Sequence, residues 1–536
     1  MADAAVIAPA QPGAPGGHVT ASGAVDWTKV FLGFGGMVIG QFMAVLDVQI
    51  VASSLAQIQA GVGASADQIS WVQTIYLLAE VVMIPLAAYF SKMWGTRPFF
   101  MAATVVFIAA SILTGMATSF EMMIVTRAIQ GLAGGAMIPQ VFAAAMTVFP
   151  LERRITANVV VGLIVTLAPT IGPTVGGHLT DAFGWRWLFY INVIPGLLSL
   201  FLVARYADFD KGDPSLAKGI DWTGLAFMAV FLLSMQYVLE EGSGEGWLKD
   251  DAILWLSVLA ALAGAAFVWR QLTYRQPIVS LAPFSDRNFV IGTVMNFVSG
   301  MSLYSGTFVL PLYLAQVRDY SPGQVGTTML VSGLAMFLAA PIAGRVIRAM
   351  DLRIGMVLGF SLVGIGLGQG IHVGDDWGFN EFLVLQVCRG LGAMIAMIAA
   401  SQMSISTLPL SMMKDGSGLL NLIRNVGGAV GLAMVTTILS RMSAVHMGTL
   451  SASLNSGSLE AQEMMTRLAA MMEAAGALDP QGGMYKMMGM MLQRKALVMA
   501  FADVFMFLTI GCAAAVVLAL LARPAPAAPA QPPGSR

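Results

Sequence analysis

With 536 residues, 57% of them hydrophobic and 11% charged, the chain has less than half the roughly 25% charged residues of a soluble globular domain, which excludes that class. A formal net charge of -1 without a basic face excludes a nucleic-acid partner. Cys388 and Cys512 both fall inside apolar runs, which argues against a disulfide framework and for packing roles.

Residues 1–27 are rich in Ala, Pro and Gly and contain no lysine or arginine. They lack the basic start of a secretory signal and read as a disordered cytoplasmic tail. A bilayer-spanning helix needs about 20 mostly apolar residues. Fourteen such windows follow, at roughly 29–52, 69–90, 98–118, 121–145, 157–180, 187–205, 222–239, 252–270, 289–315, 323–342, 353–372, 381–403, 418–440 and 496–522. The Ala/Pro segment from Arg523 to Arg536 reads as a second disordered tail. With both termini inside, cytoplasmic segments hold 17 Lys/Arg and the short outer loops 3, which places both termini in the cytoplasm.

An internal repeat divides the chain. Pro85 to Ala88, through Lys92 to Arg97, matches Pro341 to Gly344, through Arg348 to Arg353, at an offset of 256. At an offset of 259, Arg127-Ala-Ile-Gln130-Gly131-Leu132 aligns with Gln386-Val-Cys-Arg389-Gly390-Leu391, Arg and Gln exchanged. The expected organisation is all-α and polytopic. It comprises an N-terminal six-helix bundle (28–205), a linker with two inserted helices (206–288), and a C-terminal six-helix bundle (289–522) that includes an outer loop at 441–495. Repeated bundles facing one another are the usual geometry of alternating-access transporters.

Ionisable residues within apolar spans are costly and mark function by default. Asp47 in span 1 and Arg127 in span 4 lie at similar depth. An arginine beside a carboxylate holds it ionised, and parting the two lets it take a proton, so this pair reads as a proton-coupled switch or as a permanent structural ion pair. Glu80, in the middle of span 2 with no basic residue within one turn, is a second proton-binding candidate, or a neutral group bonded to a neighbouring helix. Arg424 in span 13 and Asp503 in span 14 read as the corresponding polar pair of the second bundle. Lys92, Gly95, Arg97, Arg348 and Arg353 read as a cytoplasmic gate. Gly172, Pro173, Gly176 and Gly177 put helix-breaking and close-packing residues inside span 5, pointing to a helix that moves.

These segments resemble the fourteen-span drug:proton antiporters of the major facilitator superfamily, the EmrB/QacA-like branch. The likeness covers nearly all of residues 29–522. It rests on Leu46-Asp47 with Ile50-Val51, on Arg127-Ala-Ile-Gln130-Gly131, and on Gly172-Pro173-Thr-Val-Gly176-Gly177. Trp185-Arg186-Trp187 through Asn192, and Asn421-Leu-Ile-Arg424 through Gly428, extend it. The resemblance implies the major facilitator fold of two six-helix bundles plus two inserted helices. It also implies proton coupling through Asp47 and Arg127, and a Gly/Pro helix that seals the cavity against proton leak. Gln130, Asn421, Arg424 and Asp503 are then expected at the substrate cavity. The loop after span 2 departs from the family's Gly-x-Leu-x-Asp-x-x-Gly-Arg pattern, with Ala88 for the first glycine, Lys92 for the aspartate and Thr96 for the first arginine position.

The expected function is proton-driven export of diverse amphipathic drugs across the inner membrane, an activity of antibiotic-resistance pumps. The alternatives are a proton-coupled exporter of one metabolite or siderophore and, from other classes, a membrane lipid-modifying enzyme or a non-transporting sensor. The four histidines are scattered over separate segments, which disfavours the enzyme. No cofactor is expected. The Met-rich outer loop could hold Cu(I) through thioethers, but adaptable methionines also suit a docking surface. The resemblance places a periplasmic adaptor protein there, with an outer-membrane channel beyond; lipid, protons and small amphipathic molecules complete the expected partners.

Overall fold

The computed structural model describes residues 26–522, apart from 53, 66–67, 410–411, 456–458 and 475–478. Every regular element among them is helical. Within hydrocarbon each backbone N–H and C=O must find a partner inside its own segment, and a helix is the open-ended structure that achieves this. The first half contains α1 (Trp27–Ala52), a short α2 (Leu55–Val62), α3 (Trp71–Trp94), α4 (Thr96–Gly115), α5 (Phe120–Thr147), α6 (Leu151–Phe183), α7 (Trp187–Tyr190) and α8 (Val193–Tyr206). Next come α9 (Trp222–Glu241) and α10 (Asp251–Thr273). The second half contains α11 (Arg287–Gln316), α12 (Pro322–Ala349), α13 (Leu352–Gln369), α14 (Glu381–Ile405), α15 (Met413–Asn455), α16 (Leu459–Ala474) and α17 (Pro480–Leu520).

Thirteen helices among the described residues are long and apolar enough to cross a membrane. The thirty-three-residue α6 is not among them, and several of its side chains, Pro173 included, lie outside the described residues. Polar residues fix where helices begin. The Ser119 hydroxyl accepts from the Met122 amide at 3.3 Å, and Ser321 with Gln324 forms a capping box behind Pro322, each satisfying an orphan amide of the first turn.

The same neighbours recur in both halves. α1 packs on α6 and α8, α3 on α5, and α4 on α5 and α8; α11 packs on α15 and α17, α12 on α14, and α13 on α14 and α17. Helix α9 lies against α10, α3 and α15. The halves meet along α6 with α12 and α3 with α15. On the face that carries Trp27 and Ala522, an apolar cluster crosses between them, joining Leu86, Tyr89 and Met146 to Phe289, Leu408 and Leu419.

Residues 441–495 are not the loop expected from the sequence. Most of the segment continues α15 and α17, which have 43 and 41 residues, and α16 packs on α17. At ~1.5 Å per residue such helices exceed 60 Å, about twice the ~30 Å hydrocarbon thickness. The local sequence is responsible: it has no proline between Pro409 and Pro480, and it is rich in Met, Ala and Leu, all good helix formers. Met490 and Met491 are half exposed, while Met484 is buried. The side chains of Met464 and Met472 lie outside the described residues.

Candidate functional site

Asp47 is the hub of the first half. It is 1% exposed on α1, and three donors from two other segments, α5 and the start of α8, converge on its carboxylate. Arg127 Nη1 on α5 donates to Oδ2; Gln130 Nε2 and Asn192 Nδ2 donate to Oδ1 at 2.9 and 2.7 Å. Gln130 also donates to Ser111 Oγ on α4 at 2.8 Å and accepts from Arg127 Nη1 at 3.0 Å. Arg127 Nε donates to the Val72 carbonyl of α3 at 3.0 Å. Its guanidinium carbon stands 4.4 Å from the centre of the Tyr76 ring, a cation–π contact strengthened by burial. One ion pair thus ties together α1, α3, α4, α5 and the start of α8, and its charge is shared with neutral amides.

Glycines on α5 bring α3 close enough for this. A Cβ on Gly131 would strike the Tyr76 carbonyl oxygen, one on Gly134 the Tyr76 hydroxyl, and one on Gly135 the Glu80 backbone. Glu80, one turn beyond Tyr76, is 8% exposed. Its carboxylate forms no hydrogen bond or ion pair among the described residues, unlike that of Asp47. Arg127 and Asp47 are the charges in whose field it lies.

In the second half, Arg389 occupies the position that the repeat assigns to Gln130. It donates through Nη2 to Ser332 Oγ at 2.9 Å and Gln386 Oε1 at 3.2 Å, and through Nη1 to Thr307 Oγ1 at 3.3 Å. Arg424 Nη2 donates to Asn421 Oδ1 at 2.9 Å, and its guanidinium lies 4.4 Å from the Phe142 ring centre of the other half. The expected pairing of Arg424 with Asp503 is not formed. Asp503 instead meets His446 Nε2 at 2.7 Å, with side chains 27% and 20% exposed. The cause is the extension of α15: it carries His446 alongside α17, nearer to Asp503 than the deeply buried Arg424.

The gate residues also separate. Lys92, in the last turn of α3, forms an ion pair with Asp415 in the first turn of α15, and the helix ends favour both charges. Arg97 stays in its own half, donating to the Ala204 carbonyl. Arg353 stays in the other, bound to Asp351 at 2.8 Å. The side chain of Arg348 lies outside the described residues. Gly95 adopts a φ of +88° against Gly212, a conformation that favours glycine. Thr96 donates through its amide and hydroxyl to the two carboxylate oxygens of Asp210, at 2.9 and 3.0 Å.

Helix α6 runs unbroken through Gly172, Pro173, Gly176 and Gly177. Gly172 lets it approach α1, since a Cβ there would lie 2.6 Å from Gln49 Cβ; around Gly177 the space is open. Thr174 meets Gly326 of α12 where the halves touch.

Residues 37–432 match the sequence profile of the Major Facilitator Superfamily. The chain belongs to that superfamily. It is 36% identical over 443 residues to the colistin resistance protein EmrB of Acinetobacter baumannii, covering 83% of this chain and 86% of that one. It is 27% identical to the multidrug export protein EmrB of Escherichia coli K12 (80% and 83% covered) and 27% to the fatty acid resistance protein FarB of Neisseria gonorrhoeae (79% and 82%). The crystal structure of the human organic anion transporter MFSD10 shares the fold, with a TM-score of 0.54 over 90% of this chain and 99% of that one at 11% identity. As an EmrB-like member of the superfamily the chain is a multi-pass membrane transporter of the efflux type and not an enzyme.

The sequence missed Ser111, Tyr76 and Asp415 as partners. Ser111 and Tyr76 carry no charge, and Asp415 borders an apolar span where carboxylates are commonplace. Their spacing in the chain offers no signal, because each meets its partner from another helix.

Proposed function

We propose that this protein exports structurally diverse amphipathic compounds in exchange for protons, by alternating access, with Asp47 as the main coupling carboxylate. The observation that carries the reading is the fully buried Asp47–Arg127 pair, held by Gln130 and Asn192 and reaching five segments of one half. A proton on Asp47 removes one charge of that pair and frees Arg127, so protonation and helix arrangement are coupled. Glu80, on the helix beside it, serves as a second proton carrier. Relatives named for resistance to colistin, to multiple drugs and to fatty acids support a broad amphipathic substrate range.

In this reading α6 is a fourteenth span, residues 28–205 and 289–522 are the two moving bundles, and α9 and α10 within 206–288 are the inserted pair. Both termini face the cytoplasm and the protein resides in the inner membrane. Lys92 with Asp415, and the apolar cluster beside them, close the cytoplasmic side. Gln130, Asn421 and Arg424 contribute to the substrate path, and Gly172, Pro173, Gly176 and Gly177 let α6 slide on α1. The long extensions of α15 and α17 are the docking site for a periplasmic adaptor that leads to an outer-membrane channel.

The test is proton movement in proteoliposomes with an imposed pH gradient and a panel of cationic, neutral and anionic amphiphiles. Compound-triggered collapse of the gradient that disappears in Asp47→Asn supports the reading. Compound-triggered collapse that persists unchanged in both Asp47→Asn and Glu80→Gln refutes the carboxylate assignment.

A further inference from the structure

Two buried arginines of the second half lack what Arg127 has. Arg389 and Arg424 are 5% and 2% exposed, yet their acceptors are hydroxyl and amide oxygens alone, and neither forms an ion pair among the described residues. The Nε of each has no acceptor. A buried cation is costly unless a negative group answers it.

Each arginine lines an internal cavity. The cavities measure about 10 and 20 Å³ and share Ser302, Leu303, Val363 and Ala393, so they are adjacent. Volumes of roughly this size hold a single water molecule, and hence a single small ionic group at most. The repeat shows why no side chain fills the role. The 259-residue offset that aligns Gln130 with Arg389 carries Asp47 onto Gly306. A Cβ on Gly306 would lie 3.1 Å from Arg389 Nη1. Where the first half has a carboxylate, the second has a glycine against the guanidinium.

We propose that Arg389 and Arg424 form an anion-binding site in the second half, taking one small anion, a halide or a carboxylate the size of formate, in the adjoining cavities that they line. Export activity is not assumed, because the site is defined by equilibrium binding. Among the described residues Glu80 is the buried carboxyl without a hydrogen bond or ion pair, which makes it the internal competitor to test.

The experiment measures binding of radiolabelled formate, its neutral counterpart formamide, and radiolabelled chloride to the full chain in detergent, by scintillation proximity. Formate or chloride is expected to bind and formamide not. Arg389→Gln and Arg424→Gln should each weaken binding about tenfold or more, as loss of a charge-assisted contact does. Gly306→Asp, which supplies an internal carboxylate, should abolish binding, while Gly306→Ala keeps it. Should the arginine variants fail to fold, the Gly306 pair decides the matter. Formate binding that chloride does not compete assigns the site to a small carboxylate, and chloride binding alone assigns it to halide; both support the site. The inference is overturned by no binding of either anion at millimolar concentration, by binding unchanged in Gly306→Asp, or by binding that appears only in Glu80→Gln.

Discussion

The two halves repeat their packing but not their chemistry. Gly131 of α5 admits the Tyr76 carbonyl of α3, and Gly390 of α14 admits the Ser332 carbonyl of α12, where a Cβ would lie 2.7 Å away. Tyr76 and Ser332 are related by the same 256-residue offset as the helix-end repeat. Around these matching contacts, the first half builds Arg127 against Asp47 and the second builds Arg389 against neutral oxygens. Shape sets the fold and is therefore held in common; charge sets what each half responds to and is free to differ. As proposed above, the protonatable pair of one half takes a proton and the unanswered guanidinium of the other takes an anion.

Removing the acid from the first half should produce the largest effect. Asp47→Ala strands a fully buried Arg127, at a cost of about 3–5 kcal/mol, read as a drop in unfolding temperature in detergent. Arg389→Gln strands no charge, so its unfolding temperature in the absence of anions should stay close to wild type. Equal losses in the two variants would break the comparison. Next in size, Gly131→Leu and Gly390→Leu should each cost about 1–3 kcal/mol through overpacking against backbone. A loss confined to one half would show that the packing repeat is only apparent.

Much of this was legible in the sequence, because apolar length, loop charge and an internal offset are all local signals. The helical architecture, the pairing of Asp47 with Arg127 and the repeat of helix ends at Lys92 and Arg348 follow from them. The partners of charges were harder to read. Asp503 was matched to Arg424 by symmetry, but symmetry takes no account of α15 running on to His446. The segment 441–495 reads as a loop because it falls between the apolar windows of spanning length, although its Met, Ala and Leu residues favour helix. Asn192 was visible as a motif residue, but its hydrogen bond to Asp47 depends on where α8 begins, a matter of tertiary packing.

Contacts between the halves should respond more gently. Lys92–Asp415 is the one ion pair joining the halves among the described residues, with side chains 31% and 12% exposed. Pairs this near the surface contribute about 0.2–1 kcal/mol. Lys92→Ala should therefore shift the balance between conformations by about fivefold at most, seen as a change in the spin-label distance distribution between the α3–α4 turn and the start of α15. Exchanging the charges, with Lys92→Asp and Asp415→Lys together, should restore the distribution in part, since each charge then opposes its helix end. If the single variant leaves it unaltered, the apolar cluster of Leu86, Tyr89, Phe289 and Leu419 holds this side closed by itself.

The smallest effect is expected at Asp375–Lys495, an ion pair within the second half at 2.9 Å with both side chains 52% exposed. The Lys495 ammonium, donating to the Asp375 carboxylate, holds that carboxyl below its ordinary value. A carboxyl whose folded pKa is depressed adds stability above its unfolded value of about 3.9, and the contribution disappears as pH falls through the folded one. Exposure and salt screening keep it near the lower end of the ~0.2–1 kcal/mol range. Asp375→Asn should thus lower the unfolding temperature slightly at pH 7 in low salt, and the difference should close below pH ~3 or in high salt. Since Asp375 sits in the turn before α14 and Lys495 in the N-terminal part of α17, a larger effect would mean that this end of the second half depends on charge as the core of the first half does.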